Sequence, residues 1–197
     1  MEIFTHSLMS KAILKLFLEL ENYISTNHQN LPHGAVKAYI FGGCAFHIHT
    51  NARGSNDVDA EIQAIPLLKK EDIIIFLEQN DIEYIDENNL ETNLEFDRGF
   101  NTALASIDPD YIDRTIPLIT ESIVEVYLVS ALDLAISKLA RLSDRDIEDI
   151  RILFQLKKFS LDQFKISANN AKDYYATPEQ LESNIRYMIS LLSELSE

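Results

Sequence analysis

Residues 39–63, YIFGGCAFHIHTNARGSNDVDAEIQ, constrain the fold and chemistry of this chain more than any other stretch. A short apolar run ends in Gly42-Gly43, and acidic residues alternate with apolar ones from Asp57 onward. Successive side chains of a strand point to opposite faces, so Asp57 and Asp59 share one face. Neighbouring carboxylates repel each other unless a cation lies between them, and Mg²⁺ takes such oxygen ligands together with substrate phosphates. The stretch therefore predicts a metal-assisted phosphate site.

The segment between the glycines and the acids adds candidate residues. Glycine lets backbone N–H groups approach a phosphate closely, and a helix predicted over residues 44–50 points its N-terminus at that phosphate. Ser55 is a candidate to contact phosphate through its hydroxyl, whereas Arg53 is either a phosphate or acceptor contact or a solvated loop arginine. His47 and His49 diverge by about 200° on a helix and cannot chelate one zinc ion. The alternative interpretation of the whole stretch is an ordinary glycine turn followed by a solvated strand end.

Length and charge limit the possible functions. The chain has 197 residues, enough for one domain or for a small domain with a helical extension. Its net charge of −15 argues against a broad nucleic-acid surface, because lysine and arginine supply most of the affinity for phosphate backbones. No run of 18 apolar residues is present, so neither a transmembrane helix nor a membrane partner is expected. The single cysteine, Cys44, excludes an intrachain disulfide and a cysteine-based zinc site, and fits a cytoplasmic location.

Hydrophobic periodicity predicts an α/β fold in which mixed strands and helices are followed by helices alone. Ser7 is the expected cap of an amphipathic first helix that runs to about Thr26. The character changes at Val129–Ser130, which divides residues 1–129 from a C-terminal helical part, residues 130–197, packed on the same core. Predicted strands cover residues 35–41, 57–64, 82–85, 94–96, 100–107, 116–119 and 123–129. Predicted helices cover residues 44–50, 66–80, 130–142 and 144–157. Two further helices are predicted to begin at Ser160 and Thr177.

These motifs resemble the signature of the DNA polymerase β-like nucleotidyltransferase superfamily. In that pattern a glycine turn and a short helix precede an Asp-x-Asp strand, and here Asp57 follows Gly43 by 14 residues. The turn RGSND and the later block SKLARLSDRDIEDI are similar to the bacterial predicted nucleotidyltransferases related to AbiEii-type toxins of toxin–antitoxin systems. The resemblance implies a nucleotidyltransferase fold, an α/β (α+β) arrangement with a mixed central sheet flanked by helices.

The resemblance also implies that a lysine on one helix and an aspartate on the next complete the nucleotide site. Here these residues are Lys138 and either Asp149 or Asp146. The alternative is that Lys138 is a solvated lysine on a helix surface, while Asp149 pairs with Arg145 and Asp146 faces solvent. An exposed pair of that kind contributes only about 0–1 kcal/mol.

Many members of the superfamily carry a third carboxylate on a later strand. The candidates in this chain are Asp108 and Asp110, after the strand predicted over residues 100–107, or Glu95 and Asp97. The spacing does not choose between them, and Asp108 is the favoured assignment.

The implied activity is Mg²⁺-dependent transfer of a nucleotide from an NTP to a hydroxyl of RNA or protein. Asp57 and Asp59 would hold Mg²⁺, the glycine pair and Ser55 would contact phosphates, and Lys138 would neutralise charge on the triphosphate. The expected biological role is that of the toxin in a toxin–antitoxin pair, with a cognate antitoxin as partner.

The acceptor and the catalytic activity are each subject to a further condition or alternative. A tRNA acceptor would need a local basic pocket, assembled from residues such as Arg53, Arg98, Arg114 and Lys138. The second hypothesis is a catalytically silent protein of the same fold that acts as a binding or antitoxin-like partner.

Overall fold

The computed structural model describes residues 2–195, which form two compact units. The sheet unit comprises residues 2–100 and 115–128, and the helical unit comprises residues 101–114 and 129–195. Among the helices of residues 2–195, none combines the length and apolarity needed to cross a bilayer.

The sheet unit contains three helices and the seven strands of the described residues. The helices are α1 (Leu8–Asn27), α2 (Gly42–Thr50) and α3 (Lys70–Gln79). The strands are β1 (Val36–Ile40), β2 (Asp57–Val58), β3 (Ala60–Ala64), β4 (Ile82–Ile85), β5 (Glu91–Phe96), β6 (Ile116–Ile119) and β7 (Val124–Leu128).

These strands form two sheets. The larger has the order β3-β1-β7-β6, with β1 antiparallel to β3 and parallel to β7, and β6 antiparallel to β7. The smaller has the order β2-β5-β4, with β2 parallel and β4 antiparallel to β5. The mixed sheet expected from the sequence is confirmed. Pro117 lies in the edge strand β6, the kind of strand to which proline is largely confined within sheets.

The core of the sheet unit is built around β1. Val36, Ala38 and Ile40 are fully buried, and each such aliphatic side chain of valine or isoleucine size contributes about 1.5–3 kcal/mol. Helix α1 packs against β4 and β7. Ser7 caps α1 by accepting a hydrogen bond from the N–H of Ser10, as its position before the amphipathic stretch predicts. The buried stripe of α1 includes Ile13, Leu16, Phe17, Leu20 and Ile24.

The helical unit contains a 3₁₀ helix at Pro109–Arg114 followed by four α-helices. These are α4 (Ala131–Ser137), α5 (Asp144–Gln155), α6 (Leu161–Asp173) and α7 (Pro178–Glu194). Ser130, Ser143 and Ser160 accept hydrogen bonds from first-turn N–H groups of α4, α5 and α6, which confirms the predicted helix starts. The core of this unit includes Leu134, Leu153, Phe164 and Met188.

The strand predicted over residues 100–107 is wrong, because short polar side chains hold the local backbone in turns. Asp97 accepts a hydrogen bond from the N–H of Gly99 at 2.7 Å, and Asn101 accepts one from the N–H of Ala103 at 2.8 Å. Such bonds compete with a strand ladder for the same backbone donors.

Two predicted helices are longer than the observed ones. Helix α3 begins at Lys70 rather than Pro66, because the carbonyl of Ile65 closes a turn with the N–H of Leu68. Helix α4 ends at Ser137 rather than Leu142, because the N–H of Leu139 bonds to the carbonyl of Ile136 and tightens the last turn.

Candidate active site

The glycine pair forms the first turn of α2. The peptide N–H of Phe41 donates to the carbonyl of Asp59 at 2.8 Å, which joins the end of β1 to the break between β2 and β3. Gly42 has a φ of +59°, and a Cβ there would lie 2.5 Å from Cγ of Asp59 and overlap its Oδ2. The Asp59 carboxylate therefore lies on the α-carbon of Gly42, and only glycine satisfies both the backbone angle and the space.

Gly43 has the same relation to Ser55. A Cβ on Gly43 would lie 2.7 Å from Cβ of Ser55 and 3.4 Å from a terminal guanidinium nitrogen of Arg53. The guanidinium carbon of Arg53 lies 4.9 Å from the centre of the Phe46 ring, a cation–π distance. The structure thus brings together the glycine pair, Ser55, Arg53 and Asp59, as their positions in the sequence predict.

Asp57 is exposed at the start of β2, whereas the next residue, Val58, is buried. The single strand predicted over residues 57–64 is wrong, because it is interrupted at Asp59 between β2 and β3, which belong to different sheets. Asp59 is nevertheless partly exposed between the buried residues Val58 and Ala60. The Sγ of Cys44 donates to the carbonyl of Asp57 at 3.1 Å. Burial, with the negative charges of Asp59 and Asp57, raises the pKa of the Cys44 thiol well above its ordinary value. Cys44 is therefore a packed thiol beneath the acidic turn and not a nucleophile at neutral pH.

Glu95 is the register partner of Asp57 across the parallel β2–β5 pair, and Phe96 is the partner of Val58. Since Val58 and Phe96 are buried, Asp57 and Glu95 lie together on the opposite face. Asp97 follows Glu95 by two residues, and its N–H donates to the carbonyl of Val58 at 3.1 Å. Within residues 2–195 no group of three or more His, Cys, Asp or Glu side chains is arranged to hold a metal ion.

Glu61, two residues beyond Asp59, lies 3.3 Å through Oε1 from Nζ of Lys70. Glu61, the third acid of the alternating stretch, therefore forms an ion pair with Lys70.

His47 contacts the turn that carries Arg53 and Ser55, a role that its position in the sequence does not predict. Its Nε2 lies 2.8 Å from Oγ of Ser7, and its Nδ1 lies 3.1 Å from the carbonyl of Arg53. The ring is 5 % exposed. Ser7 is 40 residues away along the chain, so no local pattern signals this contact.

In the helical unit, Lys138 forms a buried ion-pair cluster. Its Nζ lies 2.9 Å from Oδ2 of Asp149 and 3.5 Å from Oδ1 of Asp146, and all three side chains are almost fully buried. Arg141 makes two hydrogen bonds to Asp146, at 2.8 and 2.9 Å. The interpretation of Lys138 as a solvated surface lysine is therefore wrong, as is that of Asp146 as a solvated acid.

Asp146 also completes the N-terminal capping box of α5 with Ser143. Burial opposes ionisation of this carboxyl, but hydrogen bonds from Arg141 and Ser143 and the charge of Lys138 prevail. Its pKa lies well below the ordinary value as a result. The block that resembles the family motif is thus a pre-formed, charged cluster; its role toward a nucleotide stays a prediction.

Asp108 lies in a second buried cluster of the helical unit. It accepts hydrogen bonds from the Ser167 hydroxyl and, at 3.0 Å, from the N–H of Asp110, and its Oδ2 lies 3.2 Å from Arg114. Burial disfavours the charged form, but these partners hold the pKa of Asp108 below its ordinary value. Arg114 also makes two hydrogen bonds to Asp133, at 3.1 and 2.6 Å. Asp108 is 1 % exposed, so its carboxylate is committed to partners within the helical unit.

A family model described as a nucleotidyltransferase of unknown function (DUF6036) matches residues 11–190, most of the chain. The search of curated proteins found no match to the chain.

Proposed function

Because the chain belongs to this nucleotidyltransferase family, we propose that it moves a nucleotide from an NTP to a hydroxyl acceptor with Mg²⁺ held by Asp57 and Asp59. The observation that carries the proposal is the contact of Asp59 with Gly42. It sets a carboxylate directly beside the N-terminus of α2, so that a cation and a phosphate can meet there.

The N-terminus of α2 is suited to a phosphate. It is a nine-residue helix whose cap residue, Phe41, supplies no side-chain hydrogen bond to the first-turn N–H groups. Those donors and the helix dipole favour an anion. The Asp59 carboxylate fills the space that a Cβ of Gly42 would take, and the Ser55 side chain does the same at Gly43, so a phosphate at this turn would meet Gly42, Gly43 and Ser55. We assign phosphate contacts to these three residues, and a charge contact to Arg53.

The donor set fits Mg²⁺ in a site completed by substrate. Asp57 and Asp59 supply two carboxylates, and Mg²⁺ in nucleotide enzymes keeps waters and substrate phosphates as its remaining ligands. When bound, the ion would neutralise charge on the triphosphate and lower the pKa of the acceptor hydroxyl. The pairing of Glu95 with Asp57 supports Glu95 as an additional carboxylate of this site. Asp108, the assignment favoured from the sequence, has less support because its partners lie in its own buried cluster.

In the proposed reaction the acceptor oxygen bonds to the α-phosphorus as the bond from that phosphorus to the β-phosphate oxygen breaks. The acceptor loses its proton and pyrophosphate leaves. The chain's part is to orient the triphosphate on α2 and to stabilise the charge that develops there.

The cations favour a protein hydroxyl over RNA as the acceptor. Arg98 pairs with Glu71 at 2.6 Å and with Glu78 at 3.1 Å, and Arg114 and Lys138 lie in the clusters described above. Three of the four cations expected to form a tRNA pocket are therefore already neutralised by carboxylates. With a net charge of −15, the chain offers RNA little counterion release. A toxin role with a cognate antitoxin accords with this acceptor and is part of the proposal.

Calorimetric titration with Mg²⁺ and each NTP tests the proposal. The wild type is expected to bind at least one NTP in a Mg²⁺-dependent manner, whereas Asp57→Asn/Asp59→Asn is expected to bind at least about 10-fold more weakly. Asp162→Asn is a suitable control, because that side chain is 91 % exposed on α6. A folded wild type that binds no NTP would reject the proposal and favour the catalytically silent alternative.

A further inference from the structure

A cavity of about 410 Å³ lies in the sheet unit beside the proposed phosphate site. One wall is the turn formed by residues 51–56, and the other is the segment from Tyr84 to Thr92. Met9 and His47 also line it. We call it the asparagine cavity, after Asn51, Asn56 and Asn88 in its lining. Its volume is in the range of small-molecule sites.

The asparagine cavity and the glycine pair share two residues. Ser55 lines the cavity and also packs against Gly43. Arg53 lines the cavity and places its guanidinium beside Gly43 and over Phe46. A ligand whose phosphates lie on Gly42 and Gly43 would therefore enter the cavity past Ser55 and Arg53.

The polar lining is suited to a neutral, planar group that donates and accepts hydrogen bonds. Within residues 2–195, the side chains of Asn51, Asn56 and Tyr84 make no hydrogen bond. An asparagine amide carries both a donor and an acceptor, which matches the edge of a nucleobase, and a tyrosine ring adds an aromatic surface.

Charge in the lining disfavours a second phosphate group. Arg53 is the one lysine or arginine among the lining residues, and it already lies beside Gly43. Two acidic residues, Asp86 and Glu87, also line the cavity. Both accept backbone hydrogen bonds, Asp86 from the N–H of the nearby Leu90 at 2.9 Å and Glu87 from the N–H of the distant Leu8 at 3.0 Å.

We propose that the asparagine cavity binds the base of the NTP and selects among the four bases through Asn51, Asn56 and Tyr84. This inference rests on the proposed function, because it takes the glycine pair as the position of the triphosphate. Division of one ligand between the glycine pair and the asparagine cavity explains why Ser55 and Arg53 border both.

The test compares two probes by calorimetry in the presence of Mg²⁺: each NTP, and inorganic tripolyphosphate, which has no base. In Asn56→Ala/Tyr84→Phe, affinity for the preferred NTP is expected to fall about 10-fold, the effect of about one to two hydrogen bonds, with reduced discrimination among bases. Tripolyphosphate affinity is expected to stay within about 2-fold. Asn22→Ala/Tyr187→Phe removes the same groups from exposed positions on α1 and α7 and serves as the control.

The outcomes separate the two proposals. Unchanged NTP affinity and base discrimination in the cavity variant would overturn the inference and leave the proposed function standing. An equal loss for NTP and tripolyphosphate would also overturn it, because the cavity would then act only through the phosphate site. A wild type that binds no NTP would overturn both. If the double variant does not fold, Tyr84→Phe alone gives the same comparison, since only a hydroxyl is removed.

Discussion

The carboxylate of Asp59 lies against the α-carbon of Gly42, so closely that no side chain fits between them. Gly42 begins α2, and Asp59 occupies the break between β2 and β3. One contact therefore aligns a helix N-terminus, which attracts phosphate, with an acidic residue, which attracts a cation. The proposed magnesium and phosphate site depends on that alignment.

Gly42→Ala should disrupt this alignment. The methyl group would overlap Asp59, and alanine at a φ of +59° carries a backbone cost of about 1–2 kcal/mol. We expect the free energy of unfolding to fall by about 2 kcal/mol or more, and Mg²⁺-dependent NTP binding to be lost. Urea denaturation and calorimetry measure the two effects.

Gly54→Ala is the matched control for stability. A Cβ there meets nothing closer than Sδ of Met9 at 3.8 Å, an ordinary contact, so the denaturation midpoint should not fall. A Gly42→Ala protein as stable as Gly54→Ala, with NTP binding intact, would show that the close contact is dispensable.

Lys138→Met should destabilise the helical unit by about 3–5 kcal/mol, because Asp149 would be left charged and buried without its nearest cation. Lys138→Met/Asp149→Leu removes both charges and should recover most of that loss. Chemical denaturation of the two single variants and the double variant measures the coupling. If the single losses simply add, the pair is not an energetic unit.

The same double variant separates stability from function. The sequence resemblance implies that Lys138 neutralises charge on the triphosphate, and that proposal predicts the loss of nucleotidyl transfer in a folded Lys138→Met/Asp149→Leu protein. Wild-type transfer rates in that protein would leave the cluster with a structural role alone.

Asp146 should make stability depend on acid pH. Its folded-state pKa is depressed, so its contribution is complete above the ordinary carboxyl pKa of about 3.9 and is lost as pH falls through the folded value. At pH 7, Asp146→Asn should lower the free energy of unfolding by about 3 kcal/mol.

Thermal denaturation of wild type and Asp146→Asn between pH 7 and pH 2.5 measures how the contribution of Asp146 to stability depends on pH. The difference between them should be constant above about pH 5 and narrow below about pH 4. Asp162→Asn should follow the wild type throughout. A difference that persists undiminished at pH 2.5 would contradict the assigned pKa direction.

Cys44 should be unreactive in the folded protein. The thiol is fully buried, and its pKa is raised by burial and by Asp59 and Asp57. We expect a maleimide to label it at least about 100-fold more slowly in the native protein than in urea, followed by mass spectrometry. Rapid native labelling would mean that the turn beneath Asp57 opens readily.

The sequence predicts most of what local chemistry controls. The cap residues Ser7, Ser130 and Ser143, and the grouping of the glycine pair with Ser55 and Asp59, follow from patterns that lie within a few residues. Features that depend on partners distant in the chain cannot be predicted from such local patterns. His47 holds the Arg53 turn through Ser7, and Glu95 becomes the neighbour of Asp57 only when β2 pairs with β5.

Two interpretations are wrong, the first because of a distant partner and the second because of a local one. Lys138 has no acid three or four residues away, so its burial against Asp149, on the following helix, could not be predicted from helix periodicity. The strand expected over residues 100–107 had the apolar residues of a strand, but side-chain hydrogen bonds at Asn101 favoured a turn.

Label transfer from α-phosphate-labelled NTP tests the central claim most directly. Wild-type protein, Asp57→Asn/Asp59→Asn and Asp162→Asn are incubated with Mg²⁺, each labelled NTP, and total protein or total RNA as acceptor. The account predicts that wild type and Asp162→Asn move the label to protein, with release of pyrophosphate, and that the double variant is at least about 100-fold slower. Equal transfer by the double variant and the wild type would contradict it.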